Sequence, residues 1–267
     1  GGGVPRTPLP LGRAERHADG RASLFVAAEK VGNDLAGHLG PEVEVRAESE
    51  VIAALAALGE KGLRVAADPA LAPARYVAEL KAAGAVIVEM TDPCALPRAA
   101  KTFAEIAGTR NAHIRDGVAV TRLLHWVATG AQGGDIDEIE AAKRLEAFRA
   151  ESGKLVDISF DSISAAGPNG AICHYKVSTA TNLRLLPGSL YLIDSGGQYP
   201  DGTTDITRVA PIGKPTAEMR DRFTRVLKGH IALATARFPA GTTGHQLDAL
   251  ARKPLWDVGL DYDHGTG

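Results

Sequence analysis

Two aspartates, Asp194 and Asp205, lie eleven residues apart in "YLIDSGGQYPDGTTDITR", residues 191–208. The stretch otherwise has the pattern of a hairpin, with a turn-rich segment between two strand-like runs. Aspartate is a poor strand former, so folding alone does not explain two of them here. Hard divalent cations prefer carboxylate oxygens, and two carboxylates can share two metals about 3.5–4 Å apart. The stretch therefore predicts a candidate metal site.

The register of this hairpin decides whether the two carboxylates meet. If Asp194 and Asp205 are direct cross-strand partners, their Cβ atoms lie about 4.5–5.5 Å apart. The Asp201-Gly202 dipeptide instead favours a two-residue turn that leaves them on one face but far apart along it. A bulge at the adjacent glycines would restore the closer register. The non-catalytic alternative is that Asp194 caps the turn and Asp205 is solvated.

Two histidines stand out from the eight in the chain. His174 lies in "GPNGAICHY", a strand-like run just before the hairpin. In a strand its neighbour Cys173 points to the opposite face, which argues against a Cys–His nucleophilic pair. His264 lies in the glycine-rich "HGTG", where the backbone can approach a ligand closely. Taken singly, each histidine is more often a structural residue than a functional one.

The elements that must position these residues fall into two patterns. Residues 22–90 alternate strand-like runs, "SLFVAA", "EVEVRA", "LRVAAD" and "AVIVEM", with helices predicted over 49–61 and 73–84. Such alternation indicates an α/β layer, and Ser49 is the expected N-cap of the first helix. Prolines in "DPCALPRAAK", residues 92–101, indicate a boundary, which we place between residues 96 and 97.

Beyond that boundary, long helical patterns come first and strands follow, which predicts an α+β domain. Apolar residues repeat at helical spacing from Val120 to Val127 and from Ile139 to Phe148. The predicted strands are "VDISF", "AICHY", "LYLID" and "DITRVA". A helix is predicted over about 216–238, and another from Gly244 that Pro254 ends because proline lacks the backbone donor.

Composition excludes several classes of function. The net charge of −2 gives no reason to expect a nucleic acid or an anionic membrane as partner. No apolar run approaches the ~20 residues of a membrane span. The two cysteines, Cys94 and Cys173, are too few for a disulfide framework, which suits a cytoplasmic location.

Several long motifs, in order, resemble the three-domain Xaa-Pro aminopeptidase (aminopeptidase P) family of metallopeptidases. They are "HIRDGVAVTRLLHW", "GPNGAICHY", "YLIDSGGQYPDGTTDITR", "LKGHIALATARFPAGTTGHQLDALAR" and "LDYDHGTG", and "VPRTPLPLG" resembles the start of the family's middle domain. The resemblance implies that residues 1–96 are part of an α/β creatinase-N-terminal-like domain. Residues 97–267 would then form an incomplete α+β catalytic domain with the pita-bread fold.

What the resemblance implies for the site can be stated residue by residue. Asp194 would be a terminal ligand of one metal in a dinuclear centre, and Asp205 would bridge both. His174 would hydrogen-bond the substrate at the scissile peptide, and His264 would line the pocket. The two divalent ions would be Mn²⁺, with Zn²⁺ or Co²⁺ chemically compatible. The expected partners are Xaa-Pro peptides, and the family tends to form homodimers.

The resemblance also implies ligands that this sequence lacks. The family's remaining His and two Glu ligands lie downstream of "HGTG", so we expect the isolated 267-residue chain to be inactive. The alternatives within the fold are an Xaa-Pro dipeptidase and a metal-free creatine hydrolase, and both ligand aspartates argue against the metal-free enzyme. An alternative from another class is a non-catalytic module that holds a peptide or a partner in the cleft.

Overall fold

The computed structural model describes residues 5–7, 9 and 11–264. The chain divides into an N-terminal unit, Gly1–Gly108, and a C-terminal unit, Thr109–Gly267. The strands of the N-terminal unit are β1 (Gly12–Arg16), β2 (Ala22–Val26), β3 (Val43–Ala47), β4 (Arg64–Ala67) and β5 (Val86–Glu89). Its helices are α1 (Leu35–Leu39), α2 (Val51–Glu60), α3 (Ala74–Ala82) and α4 (Ala95–Ala99).

The N-terminal unit has the α/β character that the alternating pattern predicts. Strands β2 and β3 pair in parallel, as do β4 and β5, while β1 adds to β2 antiparallel. Phe25 of β2 packs with Val51 and Ala54 of α2. The expected N-cap is wrong: Ser49 lies inside a 3₁₀ turn, Glu48–Glu50, and Glu50 precedes α2 and accepts the Ala47 N–H at 3.2 Å.

The C-terminal unit combines long helices with antiparallel sheets, as an α+β domain should. Its helices are α5 (Phe103–Gly130, which begins before the unit boundary), α6 (Glu138–Ala150), α7 (Ala217–Ala234) and α8 (Gly244–Trp256). Its strands are β6 (Asp157–Ile158), β7 (Ile163–Ala166), β8 (Ser189–Ser195), β9 (Gly197–Tyr199), β10 (Gly202–Thr203) and β11 (Ile206–Ile212). They form two sheets, ordered β11-β8-β7 and β10-β9-β6.

The core of this unit lies between α5, α6 and the β11-β8-β7 sheet. Leu123 and Val127 of α5 and Leu145 of α6 are fully buried together with Tyr191 and Ile193 of β8. The apolar stripe on α5 therefore fixes the strand that carries Asp194. Among the described residues, no helix is long and apolar enough to cross a membrane.

Three expectations about this unit are wrong. "AICHY" is not a strand, because residues 167–171 form a 3₁₀ helix and His174 lies in a turn with φ of 54°. The Cys173 argument therefore loses its premise, although Cys173 is exposed and unpaired with another cysteine. Pro254 does not end α8, which continues to Trp256. Helix α7 ends at Ala234, short of the predicted 238.

Candidate metal centre

The hairpin register places the two aspartates diagonally on one face. Asp194 of β8 lies opposite Thr207 of β11. Asp205 comes two residues before Thr207, so its side chain points to the same side of the pleat as Thr207 and Asp194. Diagonal neighbours have Cα atoms about 7–8 Å apart, with Cβ atoms somewhat closer. The two carboxylates are therefore neighbours, although they are not the direct cross-strand partners of the closest register.

The turn explains why neither register weighed from the sequence occurs. Gly202 pairs with Tyr199, so Pro200 and Asp201 form the two-residue turn in place of Asp201-Gly202. The same register continues on both sides of Gly196, without the extra residue of a bulge. A Cβ on Gly196 would lie 1.9 Å from the Thr204 carbonyl oxygen, so the two chains approach too closely there for any side chain.

The carboxyl group of Asp194 has a raised pKa. Burial raises the pKa of its carboxyl, and the charge of Asp205 and a hydrogen bond with it raise the pKa further. A hydrogen bond from Thr207 and the nearby charge of His174 act in the opposite direction. The strand register makes Asp205 a diagonal neighbour of Asp194, and the charges of Asp205 and His174 both act on the Asp194 carboxyl. The raised pKa also shows that the paired carboxylates repel each other.

An unpartnered oxygen supports a cation at this position. Oδ1 of Asp194 is buried and has no hydrogen-bond partner within the described part of the chain. A buried acceptor without a donor is costly, and a bound divalent cation would satisfy it and offset the repulsion from Asp205. The described residues assemble no cluster of three or more His, Cys, Asp and Glu side chains that could hold a metal ion.

The two candidate histidines have different surroundings. His174 is exposed, in the left-handed region of backbone conformation, and close enough to influence the charge on Asp194. The ring of His264 stacks on that of Tyr262, with 4.8 Å between centroids. Arg252 holds Tyr262 in place, with its guanidinium over the ring and Nη1 donating to the Tyr262 carbonyl. His174 thus acts on Asp194 through its charge, and His264 has an aromatic neighbour.

A buried ion pair supports the hairpin and was not predicted from the sequence. Asp116 of α5 and Arg149 of α6 are both fully buried, and Arg149 donates to both carboxylate oxygens at 2.7 and 3.0 Å. Arg149 also donates to the Ser195 hydroxyl, next to Asp194. The Tyr199 hydroxyl donates to Asp116 at 2.7 Å. The pair therefore connects two helices to β8 and β9, which form the first arm of the hairpin.

The charge state of Asp116 follows from these contacts. Burial alone would raise the pKa of its carboxyl, but the hydrogen bonds and charge of Arg149, with hydrogen bonds from Tyr199 and Thr204, lower it overall. A usable sequence signal exists, because Asp116 interrupts the apolar stripe of α5 between Ala112 and Val120. A charged residue in a buried stripe requires a partner of opposite charge.

Two families match this sequence. The model of metallopeptidase family M24 matches residues 107–267, and that of the Creatinase/Prolidase N-terminal domain matches residues 1–105. The chain belongs to metallopeptidase family M24. The expected combination of a creatinase-N-terminal-like domain and a pita-bread domain is thereby confirmed.

Relatives within the M24 family include fungal proteins named probable Xaa-Pro aminopeptidase P. The one from Aspergillus fumigatus is 41% identical over 255 residues, which cover 92% of this chain and 39% of that protein. The one from Talaromyces marneffei is 40% identical over 261 residues, covering 91% and 38%. This M24 chain therefore spans about two fifths of the length of the curated relatives it matches.

Solved structures agree with the M24 assignment. The X-prolyl aminopeptidase of Caenorhabditis elegans, described as a cytosolic enzyme with a di-nuclear active site, has a TM-score of 0.84 and 32% identity. The match covers 98% of this chain and 44% of that one. The Xaa-Pro dipeptidase of Bacillus anthracis has a TM-score of 0.71 at 23% identity, and the match covers 90% of this chain and 65% of that one. At this identity it supports the fold alone.

Proposed function

We propose that the protein is a metal-dependent aminopeptidase that removes the N-terminal residue from peptides with proline in second position. The observation that carries this proposal is the buried, unpartnered Oδ1 of Asp194 beside Asp205 and His174. Relatives named for this activity at 41% identity support the choice of reaction. The 32% identical neighbour described with a di-nuclear active site supports two divalent ions.

Each site residue has a proposed role. Asp194 and Asp205 would hold the two cations. Bound divalent cations acidify water and polarise a carbonyl, which is the chemistry that amide hydrolysis needs. His174 hydrogen-bonds the substrate as charge develops on the scissile peptide. His264 lines the pocket where the peptide lies.

The choice of metal follows from the ligand type. Carboxylate oxygens are hard ligands and suit Mn²⁺, and we propose Mn²⁺ as the resident ion, with Zn²⁺ and Co²⁺ as the competitors to test. We further propose a cytoplasmic homodimer with no nucleic acid or membrane partner. The domain boundary near residue 97 belongs to the same proposal, and limited proteolysis checks it.

The test uses full-length protein that carries this sequence. We expect Arg-Pro-Pro to lose its N-terminal arginine, EDTA to abolish the reaction, and Mn²⁺ to restore it. Arg-Ala-Ala is the control peptide and should be cleaved poorly. Cleavage of Xaa-Pro dipeptides alone would identify a dipeptidase. Binding of Arg-Pro-Pro without cleavage at any metal concentration would identify a non-catalytic module and overturn the proposal.

A further inference from the structure

Glu138, the first residue of α6, has a buried carboxylate whose hydrogen bonds the proposed reaction does not explain. Its side chain is fully buried. Oε1 accepts from the Ala166 N–H at 2.7 Å and from Asn169 Nδ2 at 2.9 Å. Oε2 accepts from the Tyr175 hydroxyl at 2.9 Å and from the Leu183 N–H at 3.0 Å. One carboxylate thus gathers four donors from the two ends and the middle of the segment between β7 and β8.

That segment comprises residues 167–184, and its C-terminal end is also held by the backbone of α6. The Glu138 N–H donates to the Leu183 carbonyl oxygen, and the Ile139 N–H donates to Asn182 Oδ1. All eighteen residues are described, and Tyr175 is the only one whose side chain is buried. Its hydroxyl lies 2.8 Å from Asn169 Nδ2 and 3.0 Å from the Thr181 carbonyl oxygen, in addition to its bond to Glu138. Without an apolar core, the position of the middle of the segment, around Tyr175, depends on this polar anchor.

His174 precedes the anchor directly. Its φ of 54° is in the left-handed region, which non-glycine residues adopt only where the surroundings impose it. The side chain of His174 is exposed, so its own burial does not fix it. The fixed neighbour is Tyr175, and the carboxylate that fixes Tyr175 is Glu138. The backbone position of His174, and with it the position of its imidazole, therefore depends on Glu138.

We infer that Glu138 is a positioning residue that holds His174 at the reaction site through Tyr175. The inference rests on the proposed function in assigning His174 a part in the reaction. The structural alternative is that Glu138 only supplies a negative charge to the first turn of α6, where the helix dipole favours a negative charge. That role needs no burial and no contact with the segment, and the exposed Glu140 already fulfils it in the same turn.

A double-mutant cycle in full-length protein separates the two roles. Glu138→Gln keeps the shape but places an NH₂ group among donors, so we expect kcat/KM for Arg-Pro-Pro to fall about 10- to 100-fold, the effect of a misplacement of about 1 Å. When Glu138→Gln is added to His174→Ala, kcat/KM should fall by less than about twofold below that of His174→Ala alone, because both changes act through one imidazole. The matched control Glu140→Gln removes the same charge from the same turn and should leave kcat/KM unchanged.

A second readout does not require activity. In protein with ¹⁵N-labelled histidine, Glu138→Gln should shift or broaden the His174 imidazole signal, assigned by its loss in His174→Ala, while Glu140→Gln should leave it in place. Mn²⁺ affinity should stay within about twofold of wild type, because Glu138 contacts neither aspartate. If Glu138→Gln does not fold, Tyr175→Phe removes only the hydroxyl and must give the same pattern with a smaller loss.

The outcomes distinguish this inference from the proposed function. An unmoved His174 signal in Glu138→Gln, or losses that multiply in the double variant, would show a purely structural role and overturn the inference. Wild-type protein that leaves Arg-Pro-Pro intact would overturn the proposed reaction instead, and His174→Ala with full activity would overturn the role proposed for His174. In either case the imidazole signal alone still decides whether Glu138 positions His174.

Discussion

Asp194, the proposed metal ligand, lies in surroundings that lower the stability of the metal-free fold. Its carboxylate is partly buried, one oxygen has no donor among the described residues, and Asp205 lies beside it. Burial, and after it Asp205, disfavours the charged form of Asp194 and raises its pKa. A fold selected only for stability would place a neutral side chain there. The arrangement becomes favourable once positive charge occupies the site.

Asp194→Asn should therefore separate function from stability. Without metal, we expect this variant to be more stable than wild type by about 1 kcal/mol, because it removes a buried unpaired charge. We expect activity to fall at least about 100-fold, since even outer-shell partners of metal ligands cost about 10–100-fold. Thermal unfolding in EDTA and in Mn²⁺ measures both effects, and Mn²⁺ should raise the melting temperature of wild type only. Reduced stability in EDTA would contradict the prediction.

The pH dependence of this effect has a defined sign. The pKa of Asp194 is raised in the folded state, so the folded protein holds the proton more tightly than the unfolded chain. Metal-free wild type then loses stability as the pH rises from the unfolded pKa of about 3.9 through the folded pKa. Asp194→Asn should remove this loss, so its advantage over wild type should disappear below about pH 4.

The contribution of Asp116 to stability should change with pH in the opposite direction to that of Asp194, so Asp116 serves as the buried carboxylate for comparison. Its pKa is lowered in the folded state because the contribution of Arg149, Tyr199 and Thr204 exceeds that of burial. Its contribution to stability is therefore present above the unfolded pKa of about 3.9 and is lost as the pH falls through the folded pKa. Asp116→Asn should destabilise at neutral pH and converge with wild type in acid. Urea unfolding from pH 7 to pH 3 compares the two variants.

At the level of elements, helices α5 and α6 hold the hairpin through a buried ion pair. Arg149→Met should lower the free energy of unfolding by about 3–5 kcal/mol, because it leaves the carboxylate of Asp116 buried without the guanidinium that pairs with it. Glu151→Gln is the control, since it removes an exposed ion pair with Arg122 between the same helices and should cost less than about 1 kcal/mol. Urea unfolding measures both. Equal costs would mean that burial does not govern the strength of these pairs.

The close approach at Gly196 makes a second prediction about the hairpin. In Gly196→Ala, the new Cβ would lie 1.9 Å from the Thr204 carbonyl oxygen, so the strands must separate between the two aspartates. We expect a loss of about 3 kcal/mol or more and weaker Mn²⁺ binding. Gly117→Ala in α5 meets nothing within 4 Å and should stabilise by about 0.5–1 kcal/mol. Calorimetry of unfolding and Mn²⁺ titration check both variants.

Local patterns explain what could be predicted from the sequence at this scale. The α5 and α6 helices and strands β8 and β11 follow from the spacing of their apolar residues. The register of the hairpin could not be predicted, because Pro200-Asp201 and Asp201-Gly202 are both acceptable turns. "AICHY" looks like a strand, but its backbone is fixed by a hydrogen bond from Tyr175 to Glu138, 37 residues away. Contacts at that distance are not visible in a local pattern.

For the site as well, local sequence patterns indicate some residues, whereas others take part only through contacts with distant segments of the chain. Asp194 and Asp205 share one local motif, but their proximity depends on the register of the hairpin, which the sequence leaves open. Arg149 and Glu138 take part through contacts with segments more than 25 residues away along the chain. The interrupted stripe at Asp116 is the exception, because it indicates a buried charge from the sequence alone.

At the level of the whole molecule, the candidate site in the described residues consists of the carboxylates of Asp194 and Asp205 and the imidazole of His174. Within the described residues, no group of three or more His, Cys, Asp and Glu forms a metal site. Each transition-metal ion requires about four to six ligands, so two aspartates cannot hold a dinuclear centre tightly. The curated relatives are about two and a half times as long as the stretch they share with this chain, which covers 39% of the first.

We therefore expect a purified chain of only these 267 residues to bind Mn²⁺ weakly and to leave Arg-Pro-Pro intact. The hairpin should nevertheless form, since α5 and α6 hold it through contacts that need no metal. Isothermal titration with Mn²⁺ measures the affinity, and Asp194→Asn provides the baseline for binding elsewhere. Full-length protein carrying the sequence should bind at least about 100-fold more tightly and cleave the peptide, because added ligands raise affinity steeply. Measurable cleavage by the short chain would show that the aspartate pair and His174 suffice, and the requirement for further ligands would be wrong.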